Sequence, residues 1–234
     1  MQTSSAARAL AIRAWDELHA RHPLREIVDK WTDIFTQRYG NEPQRHYHNL
    51  NHIGELVEHY ERFLLVGPPS SFADPDRTVL LSIFFHDIIY DGAQPFGHNE
   101  DQSADLFMSY CREMGGDWIK DETKVKVNEY ILATKHHTKI SMDHPDKALL
   151  YFLDFDLGIL AASRERYAEY AAQIRQEYVH VPSPMFEEKR AAVLQQFLMV
   201  PRLYKTDHFY ALWETRAREN LTWEIDELMK KVRS

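Results

Sequence analysis

The sequence is short of cysteine, of glycine, of excess positive charge and of long apolar runs, and each shortage excludes something. Cys111 stands alone, so neither an internal disulfide nor a cysteine-rich metal site is available, which suits a reducing compartment. Eight glycines in 234 residues leave few positions for positive φ, so tight β-hairpins are expected to be rare. No stretch of about 18 uncharged apolar residues occurs, and the Ala/Ser-rich start lacks a signal-peptide core. A transmembrane helix, membrane attachment and secretion are therefore not expected, and a cytoplasmic location is. Lys and Arg number 28 against 36 Asp and Glu, a formal net charge of -8. That balance argues against a nucleic acid polymer as partner, which calls for a basic face. A small anionic substrate stays open, because a bound metal creates a positive site inside an acidic protein.

What the chain does have is helical periodicity. Leu24, Ile27, Trp31, Ile34 and Phe35 recur at spacings of three and four, with Pro23 suited to a first helical turn. Ile53, Leu56, Val57, Tyr60, Phe63 and Leu64 repeat the pattern. Asp74-Pro75-Asp76 reads as a helix start ahead of Val79, Leu80, Ile83 and Phe84. Ser103–Met114, closed by Gly115-Gly116, and the segment around Val125, Val127, Ile131 and Leu132 add two more helices. Ala148–Leu160 is apolar on most faces and should be a buried helix. Arg164–Tyr178, Pro184–Met199 and His208–Val232 read as three further amphipathic helices, and Tyr178–Val181 could form a short strand with no obvious partner. The expectation is an all-α fold of about eight to ten helices. The breaks are short and none resembles an interdomain linker. Residues 1–234 thus read as one domain, a motif core at 45–160 with C-terminal helices over 163–232 packed on it. Such helices would tolerate a homodimer without requiring one.

Three segments place chemistry-bearing residues where apolar ones are expected. His48 and His52 in Arg45-His46-Tyr47-His48-Asn49-Leu50-Asn51-His52 are four apart, on one face if the segment is helical. A zinc protease would carry Glu after the first His, where Asn49 stands. His86-Asp87 follows the apolar run Leu81-Ser82-Ile83-Phe84-Phe85. An ionised Asp buried there needs a partner, either nearby hydrogen-bonding groups or a metal. Asp154 and Asp156 lie within Leu149–Leu160, which contains no Lys or Arg. A metal held jointly would answer all three anomalies. Imidazole and carboxylate ligands from several helices suit a divalent transition metal ion (Mn, Zn, Fe, Ni or Co), with Mg an option at a second site.

The order His, then His-Asp, then Asp resembles the HD superfamily of metal-dependent phosphohydrolases over roughly residues 45–160. Tyr47-His48-Asn49 followed by His52 also resembles the signature of class I cyclic-nucleotide phosphodiesterases, and Asp156-Leu157 is similar to the pattern carrying their last metal ligand. Asn99-Glu100 with Ser103-Ala104, and Trp213-Glu214 with Ala217–Leu221, resemble a bacterial group of HD-domain hydrolases. The resemblance implies His52, His86, Asp87 and Asp156 as metal ligands and His48 as the general acid on the leaving oxygen. Asp154 competes with Asp156 for the fourth position, and the following Leu favours Asp156. The chain departs from the phosphodiesterases after His-Asp, where Ile88-Ile89-Tyr90-Asp91 replaces the expected further His.

Glu100 could orient or deprotonate the attacking water, or simply favour a helix N-terminus. Lys135-His136-His137 could cap a helix C-terminus, or supply a phosphate contact and further ligands. Arg45, Arg190 and Lys205 are candidate phosphate contacts, and His98 and His144 fall in loops. The function implied is hydrolysis of a small phosphoester or phosphoanhydride, a nucleotide among the options, through metal-bound water. Two alternatives remain: a di-iron oxygenase on the same fold, which needs more His ligands, and a non-catalytic, metal-stabilised binding module.

Overall fold

A computed structural model describes residues 2–70, 72, 74, 77–115 and 118–233. Among them are ten α-helices and no strand: α1 (Gln2–His19), α2 (Arg25–Gly40), α3 (Leu50–Leu65), α4 (Thr78–Phe85), α5 (His98–Met114), α6 (Asp121–Ala133), α7 (Lys147–Asp156), α8 (Arg164–Glu177), α9 (Met185–Met199) and α10 (Asp207–Arg233). Short 3₁₀ turns follow α6 (Thr134–Lys139) and α7 (Leu157–Ala161). The all-α expectation holds. No helix among the described residues is long and apolar enough to cross a membrane.

The apolar helix α4 runs through the middle, with all eight of its residues buried. Pro75 and Asp76 of the expected helix start lie outside the described residues, as does Gly116. Asp74 accepts the Val79 amide and the Tyr60 hydroxyl, joining the entry of α4 to α3. Around α4 packs an aromatic cluster in which Trp15 stacks on Phe35 at 4.5 Å and meets Phe84 edge-on at 5.3 Å. Trp15 belongs to α1, a helix that large-residue periodicity does not reveal. Its inner face is built mainly from alanines, and it lies so close to α3 that a Cβ on Gly54 would sit 1.9 Å from the Ala7 carbonyl oxygen. Only glycine permits that crossing.

Three local expectations are corrected. α3 starts at Leu50, with the Asn49 side chain accepting the Asn51 amide as its N-cap, so His48 stands in the turn ahead of the helix. The Ala148–Leu160 helix is α only to Asp156 and tightens to 3₁₀ beyond it. Tyr178–Val181 is a turn closed by the Val181 amide on the Tyr178 carbonyl.

Asp154 and Asp156, two residues apart, separate completely. Asp154 is fully buried and accepts the amides of Lys205 (2.6 Å) and Thr206 (2.9 Å) and the Thr206 hydroxyl (2.7 Å), which fixes the entry to α10. Burial pushes its carboxyl up to about 7, against the pull of those donors. Lys205 is itself buried beside Asp154, away from the residues that gather at Asp156. Asp154→Ala strands several buried donors and is expected to cost at least about 2 kcal/mol, a fall of roughly 4–8 °C in melting temperature for a chain of this size. An unchanged melting curve would show that Asp154 does not hold α10.

Candidate metal centre and pocket

Three chain segments converge at one point. α3 brings His52, 2% exposed; the turn after α4 brings His86 and Asp87; the end of α7 brings Asp156. His86 Nδ1 donates to the Ile83 carbonyl at 3.0 Å, so its Nε2 faces the cluster. That Nε2 lies 3.2 Å from His52 Nε2, 3.1 Å from Asp87 Oδ2 and 3.4 Å from Asp156 Oδ1. His52 Nε2 is 3.5 Å from Asp87 Oδ2 and 3.6 Å from Asp156 Oδ1. His52, His86 and Asp87 can together hold a metal ion.

The chemistry of this donor set fits a divalent cation. Two imidazole Nε2 atoms face each other at 3.2 Å, so either one carries a proton aimed at the other or a cation lies between them. Burial opposes charge on His86, yet Asp87 and Asp156 outweigh it and hold the ring well above its ordinary value. Burial likewise opposes ionisation of Asp87 and Asp156, and His86 in turn holds both well below the carboxylate range. The pocket therefore calls for positive charge, which a divalent ion supplies more fully than one proton. His52 Nδ1 is buried with no hydrogen bond among the described residues, so no neighbour reserves its proton.

The surroundings hold this geometry through residues that sequence reasoning missed or read differently. Glu177, at the end of α8, accepts the amides of His46 (2.9 Å), Tyr47 (2.7 Å) and His48 (2.9 Å) on Oε1. Its Oε2 takes His48 Nδ1–H at 2.7 Å. His48 Nε2 then points toward Asp87 Oδ2, 4.0 Å away, and its ring stacks on Tyr90 at 4.0 Å. Nothing in the sequence marks Glu177, which looks like any carboxylate on a helix face. Arg45 is not free to meet a phosphate. Its buried guanidinium donates to the carbonyls of His48, Asp87 and Ile88 and to Glu42, clasping the His48 turn to the His-Asp segment. Asn99 exchanges two hydrogen bonds with the Asp91 backbone, and Ser103 does the same with Ile89. These two residues of the Asn-Glu-x-x-Ser-Ala segment hold the loop after Asp87.

A pocket of about 360 Å³ opens over the cluster, lined by His48, His52, Asp87, Glu100, His137 and Asp156 among others. Burial raises Glu100 above its ordinary value. His137 lies 2.9 Å from Asp156 Oδ2, on the oxygen turned away from His52 and His86. His136 instead rests against the exposed Phe96 ring, and Lys135 is paired with Asp101. His98 opens α5 at the surface, and His144 lies in the turn before α7. Arg190 lines the far side of the pocket.

No family model matches the chain, and no curated protein matches it. Among solved structures it is similar to the phosphodiesterase domain of the RhoPDE fusion protein from the choanoflagellate Salpingoeca rosetta. The TM-score is 0.58 at 13% identity, over 98% of this chain and 92% of that one. At that identity the likeness establishes the fold.

Burial works against a charge on Glu177, but His48 and the amide donors overcome it and bring its carboxyl down to about 2. A carboxylate lowered on folding stabilises the protein above its ordinary value, and that contribution is lost as pH falls from about 4.5 toward about 2. Wild type should therefore exceed Glu177→Gln in stability by a margin that is full above pH 5 and shrinks on acidification. A margin constant from pH 7 to 3 would contradict the assignment.

Proposed function

We propose that the protein is a metal-dependent phosphohydrolase of the HD type, acting on a small phosphoester or phosphoanhydride. The observation that carries this reading is the convergence of His52, His86, Asp87 and Asp156 beneath a pocket, with His48 held at its edge by Glu177. The fold shared with a protein titled a phosphodiesterase domain supports the same class.

His52, His86, Asp87 and Asp156 would hold the ion. When bound there, a divalent ion would supply Lewis-acid polarisation of a phosphoryl oxygen and a lowered pKa for water. The chain's own residues supply the rest. His48 carries the general acid. Burial disfavours its charge, but Glu177, Asp87 and Asp156 together raise the ring above its ordinary value. With Nδ1–H committed to Glu177, the proton on Nε2 is the one available to the leaving oxygen. Glu177 is a positioning residue, fixing both the backbone turn and the ring. Glu100 faces the same pocket as a carboxylate of raised basicity, suited to orienting water or accepting its proton. His137 steadies Asp156 from the opposite side, as outer partners of ligating carboxylates do.

Purified protein supplied with Mn²⁺ should hydrolyse members of a panel of nucleotides, cyclic nucleotides and simple phosphate esters. His48→Gln should keep its metal and lose about 10²–10⁴ in kcat, the usual worth of a general acid. Metal-loaded enzyme that turns over no phosphate ester, or a His48→Gln variant as active as wild type, would overturn the proposal.

A further inference from the structure

Part of the pocket lining away from the four ligand residues is of a different character. Arg190 of α9 is mostly buried there; its Nε and Nη2 are engaged by Glu224 at 2.8 and 3.3 Å, and Nη2 by the Tyr170 hydroxyl at 3.2 Å. Nη1 makes no hydrogen bond among the described residues. Glu224 neutralises the guanidinium, and Nη1 is the nitrogen that keeps its donors on a side chain that lines the pocket. Its distance from the metal centre is spanned by ring contacts. Tyr170 meets Tyr47 at 4.6 Å between centroids, and Tyr47 meets His52 at 4.8 Å. Leu160, Leu194, Phe197 and Leu221 give the lining an apolar stretch, and Tyr178 adds an aromatic ring to it.

The charge on the pocket surface is lopsided. Asp87, Asp91, Glu100 and Asp156 line it, and among the described residues Arg190 is the one Lys or Arg that does. Lys135 stands nearby but is held by Asp101. One divalent ion can balance a single phosphate group in such a site. A polyphosphate would bring further negative charge against these carboxylates, with no Lys or Arg besides Arg190 among the described lining residues to receive it.

Resting on the hydrolase reading above, we infer that the pocket takes a compact phosphomonoester with a flat, largely apolar ring at its other end, and that Arg190 reads a hydrogen-bond acceptor on that ring. A nucleoside 5′-monophosphate has this chemistry and a size that suits a cavity of about 360 Å³. The corresponding triphosphate carries charge the walls do not match.

The test pairs binding with turnover. Nucleoside 5′-monophosphates, their triphosphates and the ring-free ester glycerol 2-phosphate are titrated into Mn²⁺-loaded wild type and Arg190→Lys by calorimetry, and the same compounds are assayed for phosphate release. Lysine keeps the ion pair with Glu224, so the buried carboxylate is not stranded, but it loses the forked donor. A second variant, Leu194→Trp, adds bulk to the apolar lining and leaves the Arg190–Glu224 pair in the sequence, its melting curve confirming that it folds. The expected result is monophosphate binding at least tenfold tighter than triphosphate. Both variants should lower kcat/KM for the monophosphate at least tenfold relative to glycerol 2-phosphate, with the loss in KM. Triphosphate bound as well as monophosphate, or all esters affected alike by both variants, would overturn the inference. Selective binding without phosphate release would overturn hydrolysis and leave the recognition standing; release without selectivity would do the reverse. No binding and no release would overturn both.

Discussion

Two carboxylates, Asp87 and Asp156, lie mostly out of solvent beside two buried imidazoles whose Nε2 atoms face each other at 3.2 Å, and much of the molecule is arranged to make that tolerable. Buried charge is costly unless it is paired and held in place. Here the holding is done by groups that are themselves saturated with hydrogen bonds. Arg45 clasps the backbone on either side of the cluster, Glu177 gathers three successive amides and one imidazole, and Asn99 and Ser103 pin the loop that leaves Asp87. These contacts hold the backbone on either side and leave the His52, His86, Asp87 and Asp156 side chains to meet one another at the cluster.

The neighbouring carboxylate Asp154 shows how finely helix geometry divides labour. A step of two residues, just over half a turn of α7, sends Asp156 to the cluster and Asp154 to the start of α10. The same helix end thus connects the candidate centre to the C-terminal helices, whose α9 and α10 residues Arg190, Leu194 and Leu221 close the far side of the pocket.

Part of this was legible in the chain. Polar residues set among apolar ones stand out because burial makes them expensive, and His86, Asp87 and Asp156 are such residues; His52 stands out through its spacing from His48 and the family resemblance. The all-helical class followed from spacing of apolar residues. Other features left no such mark. α1 packs through alanines and a glycine crossing, which large-residue periodicity passes over. His48 reads as a helical partner of His52, but Asn49 capping cuts the helix off just after it. Glu177 and Arg45 act through contacts more than 40 residues distant in sequence, and a lone Glu or Arg on a helix or loop carries no local sign of such a partner.

The central claim is that this cluster binds a divalent metal. The most direct measurement is elemental analysis of protein stripped with chelator, reconstituted with Mn²⁺ or Zn²⁺ and dialysed, for wild type, Asp87→Ala and Asp154→Ala. A stoichiometric ion retained by wild type and Asp154→Ala and lost from Asp87→Ala is the expected result. Wild type that retains no metal, or Asp87→Ala that retains as much as wild type, would contradict it.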